Sequence, residues 1–349
     1  MISDRFVNNK KPYYKLNNIQ FSAKSEVEAK IENGTYSFEN ISCPICKSIS
    51  KEVIAEKDRY GLECTTVICK DCGAVYTNPR MTQESYNEFY DKEYRKLYVG
   101  TETATERFFE GQINQGRRIY NYIEKTFPGI RLKNRNILEV GCGAAGILYY
   151  FKQKSNNVLG VDLGSEYSEY SREKYGMNLI HGSLSEVPSN FNADVVIYSH
   201  VFEHILDFEK EIQALKKFCT KDTILYIEVP GVKFVHRAYK MDFLNYFQNA
   251  HTIHFSLTSL KNIFQSNGFS FISGDEYVRS VFKLNLSYKT NKIINDYASV
   301  SEYIKRIEKK RFLYPISLTN IKIKIKFVLI KILGVLQLKK VIKKVLKRS

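Results

Sequence analysis

The chain lacks any apolar run long enough to cross a bilayer. A spanning helix needs ~18–20 such residues, and charges interrupt every candidate in its 349 residues. Nor does its beginning, MISDRFVNNKKPYYKLNNIQ, hold the apolar core of an export signal. Both absences lead to the expectation of a protein kept in the cytoplasm. Seven cysteines are too few for a disulfide scaffold at this length. Acidic residues are missing altogether from 321–349, which holds ten of the 53 Lys/Arg and so most of the net charge of +16. The body is close to neutral, so the overall charge is not a nucleic-acid signal. With 44% hydrophobic and 26% charged residues, wholesale disorder is excluded.

Four of the cysteines stand as CPIC (Cys43, Cys46) and CKDC (Cys69, Cys72). Two CxxC knuckles fit one tetrahedral Zn²⁺, and Gly73 follows the second where the backbone must turn tightly. A closed four-thiolate site keeps no open position for substrate, so the expected role is structural, in a zinc ribbon. No dense basic cluster surrounds the knuckles to suggest RNA. Cys64, Cys142 and Cys219 remain outside this pattern.

From Asn136 onward, short apolar runs alternate with amphipathic segments, as in βαβ units around a mainly parallel sheet. NILEV (136–140), NVLGVD (157–162), ADVVIYS (193–199) and TILYIEVP (223–230) read as strands. Helices are expected near 147–154, over SEYSEYSREKYG, over 208–218, and over 256–269 with a serine cap and a glycine stop. Gly141, Gly143 and Gly146 follow a strand and open a helix, and Asp162 ends the next strand, the context of a nucleotide-type site. Glu139 would repel a pyrophosphate at that helix start but suits the ammonium and sulfonium of S-adenosylmethionine.

These residues resemble a family. LEVGCGAAG, GVD, DVVIYSHVFEHILD and ILYIEVP, in order over about 136–275, are similar to the motifs of class I S-adenosylmethionine-dependent methyltransferases. The resemblance implies a Rossmann-like α/β fold with a seven-stranded sheet. It places Glu139, Gly141, Cys142, Gly143 and Gly146 around the methionine end. Asp162 would take the ribose, Gly182 and Ser183 the adenine side, and Ser199 and His200 the reactive methyl, with Leu163 also among the cofactor-binding residues. Cys142 is expected to fill space rather than react.

A narrower resemblance joins CPxC…CxxCG, TNPR (Thr77–Arg80) and SYNEFYDKEY to the zinc-containing sugar methyltransferases of nucleotide-sugar and surface-polysaccharide biosynthesis. In that family a Glu-His pair supplies the catalytic base. Here AHTIHFS puts His251 at the histidine, with Ala250 in place of the glutamate, which removes an orienting partner. His251 is the first candidate base and His204 the second. Tyr90 and Tyr94 are candidate substrate-side hydroxyls. The aromatic segment 231–250 (Phe234, Tyr239, Phe243, Tyr246, Phe247) suits either a cap that stacks on the acceptor or plain packing.

Read as a helix, 321–349 gathers Ile325, Val328, Leu329, Ile332 and Leu336 on one side and lysines on the other. This basic amphipathic pattern fits peripheral contact with an anionic membrane surface, with docking on its own domain as the alternative.

The resulting expectation has four parts: 1–80 with the ribbon, 81–287 with the methyltransferase, a helical linker at 288–320 and the tail. The expected activity is methyl transfer to a sugar, nucleotide- or lipid-linked, with oxygen preferred over carbon. An RNA methyltransferase and a catalytically silent membrane scaffold are the alternatives.

Overall fold

A computed structural model describes residues 1–100, 106–287, 290, 292–318, 320–322 and 324–325. The front of the chain forms α1 (Asn18–Glu32) and three antiparallel strands, β1 (Lys51–Lys57), β2 (Glu63–Cys69) and β3 (Val75–Thr77). Three helices lead into the core: α2 (Gln83–Lys92), α3 (Tyr94–Tyr98) and α4 (Glu106–Thr126). The core then alternates β4 (Asn136–Val140), α5 (Gly146–Gln153), β5 (Asn157–Asp162), α6 (Ser165–Tyr175), β6 (Leu179–His181), β7 (Val195–Ser199), α7 (Phe208–Lys216) and β8 (Ile224–Glu228). It continues with β9 (Ile253–His254), α8 (Leu257–Ser266), β10 (Phe269–Gly274), β11 (Arg279–Leu284) and α9 (Tyr297–Lys310).

Seven strands make one sheet in the order β10-β11-β8-β7-β4-β5-β6. The five from β8 to β6 are mutually parallel, and β11 runs antiparallel against β8. The apolar runs read as strands are buried throughout, as a sheet covered on both faces requires. Strand order reverses between β4 and β7, the switch point where α/β sheets open a crevice beyond their carboxyl ends. Elements with clear stop signals end where expected. Ser256 accepts from the Ser259 amide to cap α8, and Gly268 at φ +81° follows its end.

The ribbon is sewn to the core. Strand β9 pairs with β3, so the front sheet reads β9-β3-β2-β1 and takes its fourth strand from the far side of the methyltransferase motifs. Thr77 strengthens this seam: its amide donates to the Thr252 carbonyl (3.0 Å) and its hydroxyl to that of His251 (2.9 Å). Arg80, which ends the TNPR stretch, donates to the Leu206 carbonyl at 2.7 Å.

The aromatic segment resolves into packing. Phe243, Tyr246 and Phe247 are fully buried with Phe6, Ile54 and Tyr303 between the front sheet and α9, so they offer no stacking face to an acceptor. Most of the proposed tail, 326–349, lies outside the described residues. Residues 320–322 and 324–325 are helical, with Ile321 and Ile325 exposed. Among the described residues no helix is long and apolar enough to cross a membrane.

Candidate active site

The glycine turn follows β4 because the backbone there adopts left-handed conformations that other residues rarely take. Gly141 and Gly143 have φ of +67° and +52°. A side chain on Gly141 would also strike Val201, its Cβ falling 2.3 Å from a Val201 methyl. Asp162 ties the turn to β5. Its carboxylate accepts from the Gly143 amide and from the Gly164 amide, both at 2.7 Å. Burial pushes the Asp162 pKa up, and the two amides only partly offset it.

Glu139 is buried one strand away, and its Oε2 has no hydrogen-bond partner. Burial, and then the neighbouring charge of Asp162, pushes its pKa well above the usual carboxylate range. An orphaned carboxylate at this point fits a cationic ligand group. Leu163, 71% exposed, offers an apolar face at the lip of the crevice for a heterocycle. At the next strand end, Ser183 is engaged locally: its amide donates to Glu186 at 2.6 Å and its hydroxyl caps a short 3₁₀ turn. The Glu186 carboxylate thereby folds over Gly182. Cys142 is fully buried and its thiol pKa is pushed well up, so it fills space as expected.

No motif marks α4, yet this helix braces the glycine turn and the end of β7. Gln112 donates to the Cys142 carbonyl (3.2 Å) and accepts from the Gly146 amide (3.1 Å), clamping both ends of the glycine turn. Three residues on, Gln115 donates to the Ser199 hydroxyl at 2.6 Å. A turn after Gln115, Arg118 pairs at 2.8 Å with Glu228, whose side chain is 0% exposed at the end of β8. The signal was available as a helical stripe, Gln112, Gln115 and Arg118, on the face preceding the core.

His200 follows β7 with φ +59°, a left-handed conformation unusual outside glycine. Its amide donates to the Glu228 carbonyl (2.8 Å), and its ring lies 3.6 Å from Glu203 and 3.8 Å from Glu228. Burial works against its cation, but the two carboxylates outweigh that and raise its pKa.

His204 and His251 come together with ring centroids 4.8 Å apart. His204 Nδ1 contacts the Ala250 carbonyl at 2.8 Å and the Tyr90 hydroxyl. A carbonyl only accepts, so Nδ1 carries the proton there and Nε2 keeps a lone pair. The Gln248 amide covers the His251 ring nitrogens at 2.5 and 3.1 Å. Burial and neighbouring positive charge hold His251 well below the usual histidine pKa, and burial lowers His204 as well.

Ala250 does leave His251 without a preceding acid, but an acid is present from elsewhere. Glu203, on the turn after β7, puts Oε1 4.0 Å from His251 Nε2 and 3.8 Å from His204 Nε2. A buried carboxylate four residues from a strand end looks, in sequence, like any helix-start charge, which is why pattern alone passed it over.

Aromatic and cationic groups surround this cluster. Tyr90, Tyr94 and Tyr98 stack in a ladder, with centroids 4.3 and 4.7 Å apart. Tyr94 feels the charges of both Glu203 and Asp162, so the ladder bridges the two carboxylates. Arg59 reaches in from the tip of the β1–β2 hairpin, where its charge is felt by Tyr98, Tyr14, Tyr239 and His251. Its Nε is buried with no hydrogen-bond partner. Asp58 holds that tip by accepting from the amides of Tyr60 (2.8 Å), Leu62 (3.0 Å) and Asn249 (3.2 Å).

The four knuckle thiols meet at the other end of the front sheet. Sulfurs of Cys43 and Cys72 lie 3.5 Å apart, as do those of Cys46 and Cys69, and all four are within 4.8 Å of one another. That spacing fits a tetrahedral divalent ion with bonds of ~2.3 Å. Gly73 has φ +76°, the turn expected of the second knuckle. Cys64 sits apart, buried beside Thr77.

Residues 112–273 match a family model described as a methyltransferase domain. No curated protein matches the chain. Among solved structures, the PH0226 protein of Pyrococcus horikoshii OT3 is similar over 56% of this chain and 99% of its own, at 14% identity and a TM-score of 0.44. An S-adenosylmethionine-dependent methyltransferase from Clostridium acetobutylicum ATCC 824 is similar over 57% of this chain and 99% of its own, at 13% identity and TM-score 0.39. One from Aquifex aeolicus covers 47% of this chain and 88% of its own, at 15% identity and TM-score 0.37. The sheet order, the glycine turn held by Asp162 and the family match agree on a methyltransferase domain over residues 112–273 with the class I S-adenosylmethionine-dependent fold.

Proposed function

We propose that this enzyme methylates a hydroxyl of a sugar bearing an anionic group, as a nucleotide sugar or a phosphate-linked lipid glycan, in surface-polysaccharide assembly. One observation carries the choice of acceptor. Arg59 presents a guanidinium, whose buried Nε has no hydrogen-bond partner, to a tyrosine ladder beside His204 and His251. A guanidinium suits a phosphate or carboxylate, and phenol rings suit the apolar face and hydroxyls of a sugar.

S-adenosylmethionine, when bound, supplies an already activated methyl group. Glu139, the glycine turn and Asp162 would hold its methionine and ribose parts, with Leu163 against the adenine. The chain's remaining task is alignment and removal of one proton. The Glu203–His204–His251 cluster, on the turn after β7, receives that proton from the acceptor hydroxyl, with His251 foremost. Two depressed imidazoles are neutral at pH 7 and free to accept it.

The thiol cluster is read as a structural zinc site that fixes the front sheet, and through β3–β9 the loop carrying His251. The basic tail is read as a contact with anionic membrane, which would bring the enzyme to lipid-linked acceptors.

The test is incubation with methyl-labelled S-adenosylmethionine and a fractionated extract of the source cells. Label in nucleotide sugars or lipid-linked glycan is expected. Label in RNA would overturn the reading.

A further inference from the structure

Glu203 presents a problem of accounting. Its side chain is only 2% exposed, and neither carboxylate oxygen has a hydrogen-bond partner. Burying a carboxylate with no hydrogen-bond partner is among the costlier arrangements a fold can keep. The nearest groups are imidazole nitrogens: His200 Nδ1 at 3.6 Å, His204 Nε2 at 3.8 Å and His251 Nε2 at 4.0 Å. None is within hydrogen-bond distance. For His204, Nδ1 is committed to the Ala250 carbonyl, so Nε2 brings a lone pair rather than a proton. The Glu203 carboxylate and the His204 Nε2 lone pair therefore face one another with no donor between them, and the one donor nearby, the Gln248 amide, lies on His251.

We propose that Glu203, His204 and His251 form a binding site for a single divalent transition-metal ion, of the zinc, manganese or cobalt class, on the acceptor side of the crevice. One ligand atom from each residue can be chosen so that all lie within 4.8 Å of one another. An ion at the centre of such a triangle stands roughly half an ångström outside the ~2.0–2.2 Å bonds of zinc to nitrogen and oxygen, a gap that side-chain rotation closes. Two imidazoles and one carboxylate are a mixed donor set that suits these borderline ions over calcium or magnesium.

The surroundings follow the pattern of metal sites, where the second ring nitrogen of a ligating histidine is fixed by a carbonyl. Ala250 does this for His204, and the Ala250 carbonyl is itself held by the Tyr86 hydroxyl at 2.5 Å. The Gln248 amide must swing off His251 Nε2, exchanging one hydrogen bond for a coordination bond. The charge of Arg59 opposes a cation here, and Glu203 offsets it. Three protein ligands leave open positions, and His200, 41% exposed, borders them. A bound ion would polarise an acceptor hydroxyl oxygen at that opening and, since it takes the imidazole lone pairs, would replace His204 and His251 as the means of making that hydroxyl give up its proton. This catalytic consequence rests on the proposed methyl transfer; the binding itself does not.

The full chain is titrated with Co²⁺ in the absence of S-adenosylmethionine and acceptor. Cobalt at the four thiols gives strong sulfur charge-transfer absorption, whereas a nitrogen and oxygen site gives only weak visible bands. The expected result is a second equivalent of cobalt with weak bands and no charge transfer. Glu203→Gln and His251→Asn should each weaken that second equivalent about tenfold or more, while the thiol bands and binding of S-adenosylhomocysteine persist as controls on folding. Absence of a second equivalent, or one insensitive to both substitutions, would overturn the site. Either failure leaves the methyl-transfer reading to its own labelling test.

Discussion

Replacing Gly146 with alanine tests whether α4 braces the glycine turn by direct contact. The new methyl carbon would lie 2.4 Å from the Phe109 carbonyl oxygen, 2.7 Å from Gln112 Cβ and 3.0 Å from the Ile113 amide nitrogen. Two of these are backbone atoms of α4, so no side chain can simply rotate away. Carbon and oxygen rest at ~3.3 Å or more, so α4 must recede by about 1 Å locally. Overpacking of this kind costs about 1–3 kcal/mol. For a cooperative unit of some two hundred residues, that lowers Tm by roughly 2–12 °C.

The same displacement pulls Gln112 from the Cys142 carbonyl and Gln115 from the Ser199 hydroxyl. Affinity for S-adenosylhomocysteine should fall about tenfold, since each ~1.4 kcal/mol is a factor of ten. Gly111 on the same helix is the control. An added methyl there meets nothing within 4 Å, so Gly111→Ala should stabilise by ~0.5–1 kcal/mol through helix propensity. Calorimetry and thermal unfolding of both variants decide the matter. Wild-type Tm and cofactor affinity in Gly146→Ala would refute the bracing role of α4.

Three other outcomes follow from the geometry. Chelation strong enough to strip the thiol cluster should lower Tm and activity together, because β3 and β9 couple the knuckles to the His251 loop; an unchanged melting curve would contradict this. His254, buried against Tyr246 and Phe247, has its pKa pushed down to about 3. Its ring signals in NMR should therefore hold steady from pH 7 to 5, whereas those of His200 titrate above the ordinary histidine value. The sign follows from linkage: a histidine depressed in the fold contributes stability above pH ~6.5 that is lost, at ~1.4 kcal/mol per unit, as pH falls towards the folded value. An ordinary titration of His254 near pH 6.5 would refute the burial argument. Arg59→Met should raise KM for an anionic acceptor at least several-fold while leaving cofactor affinity intact, and an unchanged KM would remove the basis for an anionic substrate.

The cofactor side was legible in sequence because its parts are local. Strand, glycine turn, helix and strand-end acid lie within some thirty residues, and backbone conformation dictates the residue types. The structure places Gly141, Gly143 and Asp162 as that spacing implied. The acceptor side was legible only in pieces, because its parts arrive from distant segments: Arg59 from a ribbon hairpin, the tyrosine ladder from α2 and α3, Glu203 from the turn after β7, and His251 from the loop just before the strand that completes the ribbon sheet. Each looks ordinary in its own segment, and only the pairing of β3 with β9 brings them together. The segment 231–250 illustrates the converse. Its aromatic density suited a cap or plain packing equally, and Phe243, Tyr246 and Phe247 fill the space between the front sheet and α9.

The most direct test of the account is calorimetric titration of the full chain with S-adenosylhomocysteine, alongside Asp162→Ala. Asp162 holds the Gly143 amide of the turn and the Gly164 amide after β5, both at 2.7 Å, so its loss removes both a ribose ligand and the brace of the turn. One equivalent bound by the wild type, and binding weakened at least tenfold in the variant, is the predicted result. No binding by the wild type, or equal binding by both, would contradict the claim that this crevice holds S-adenosylmethionine.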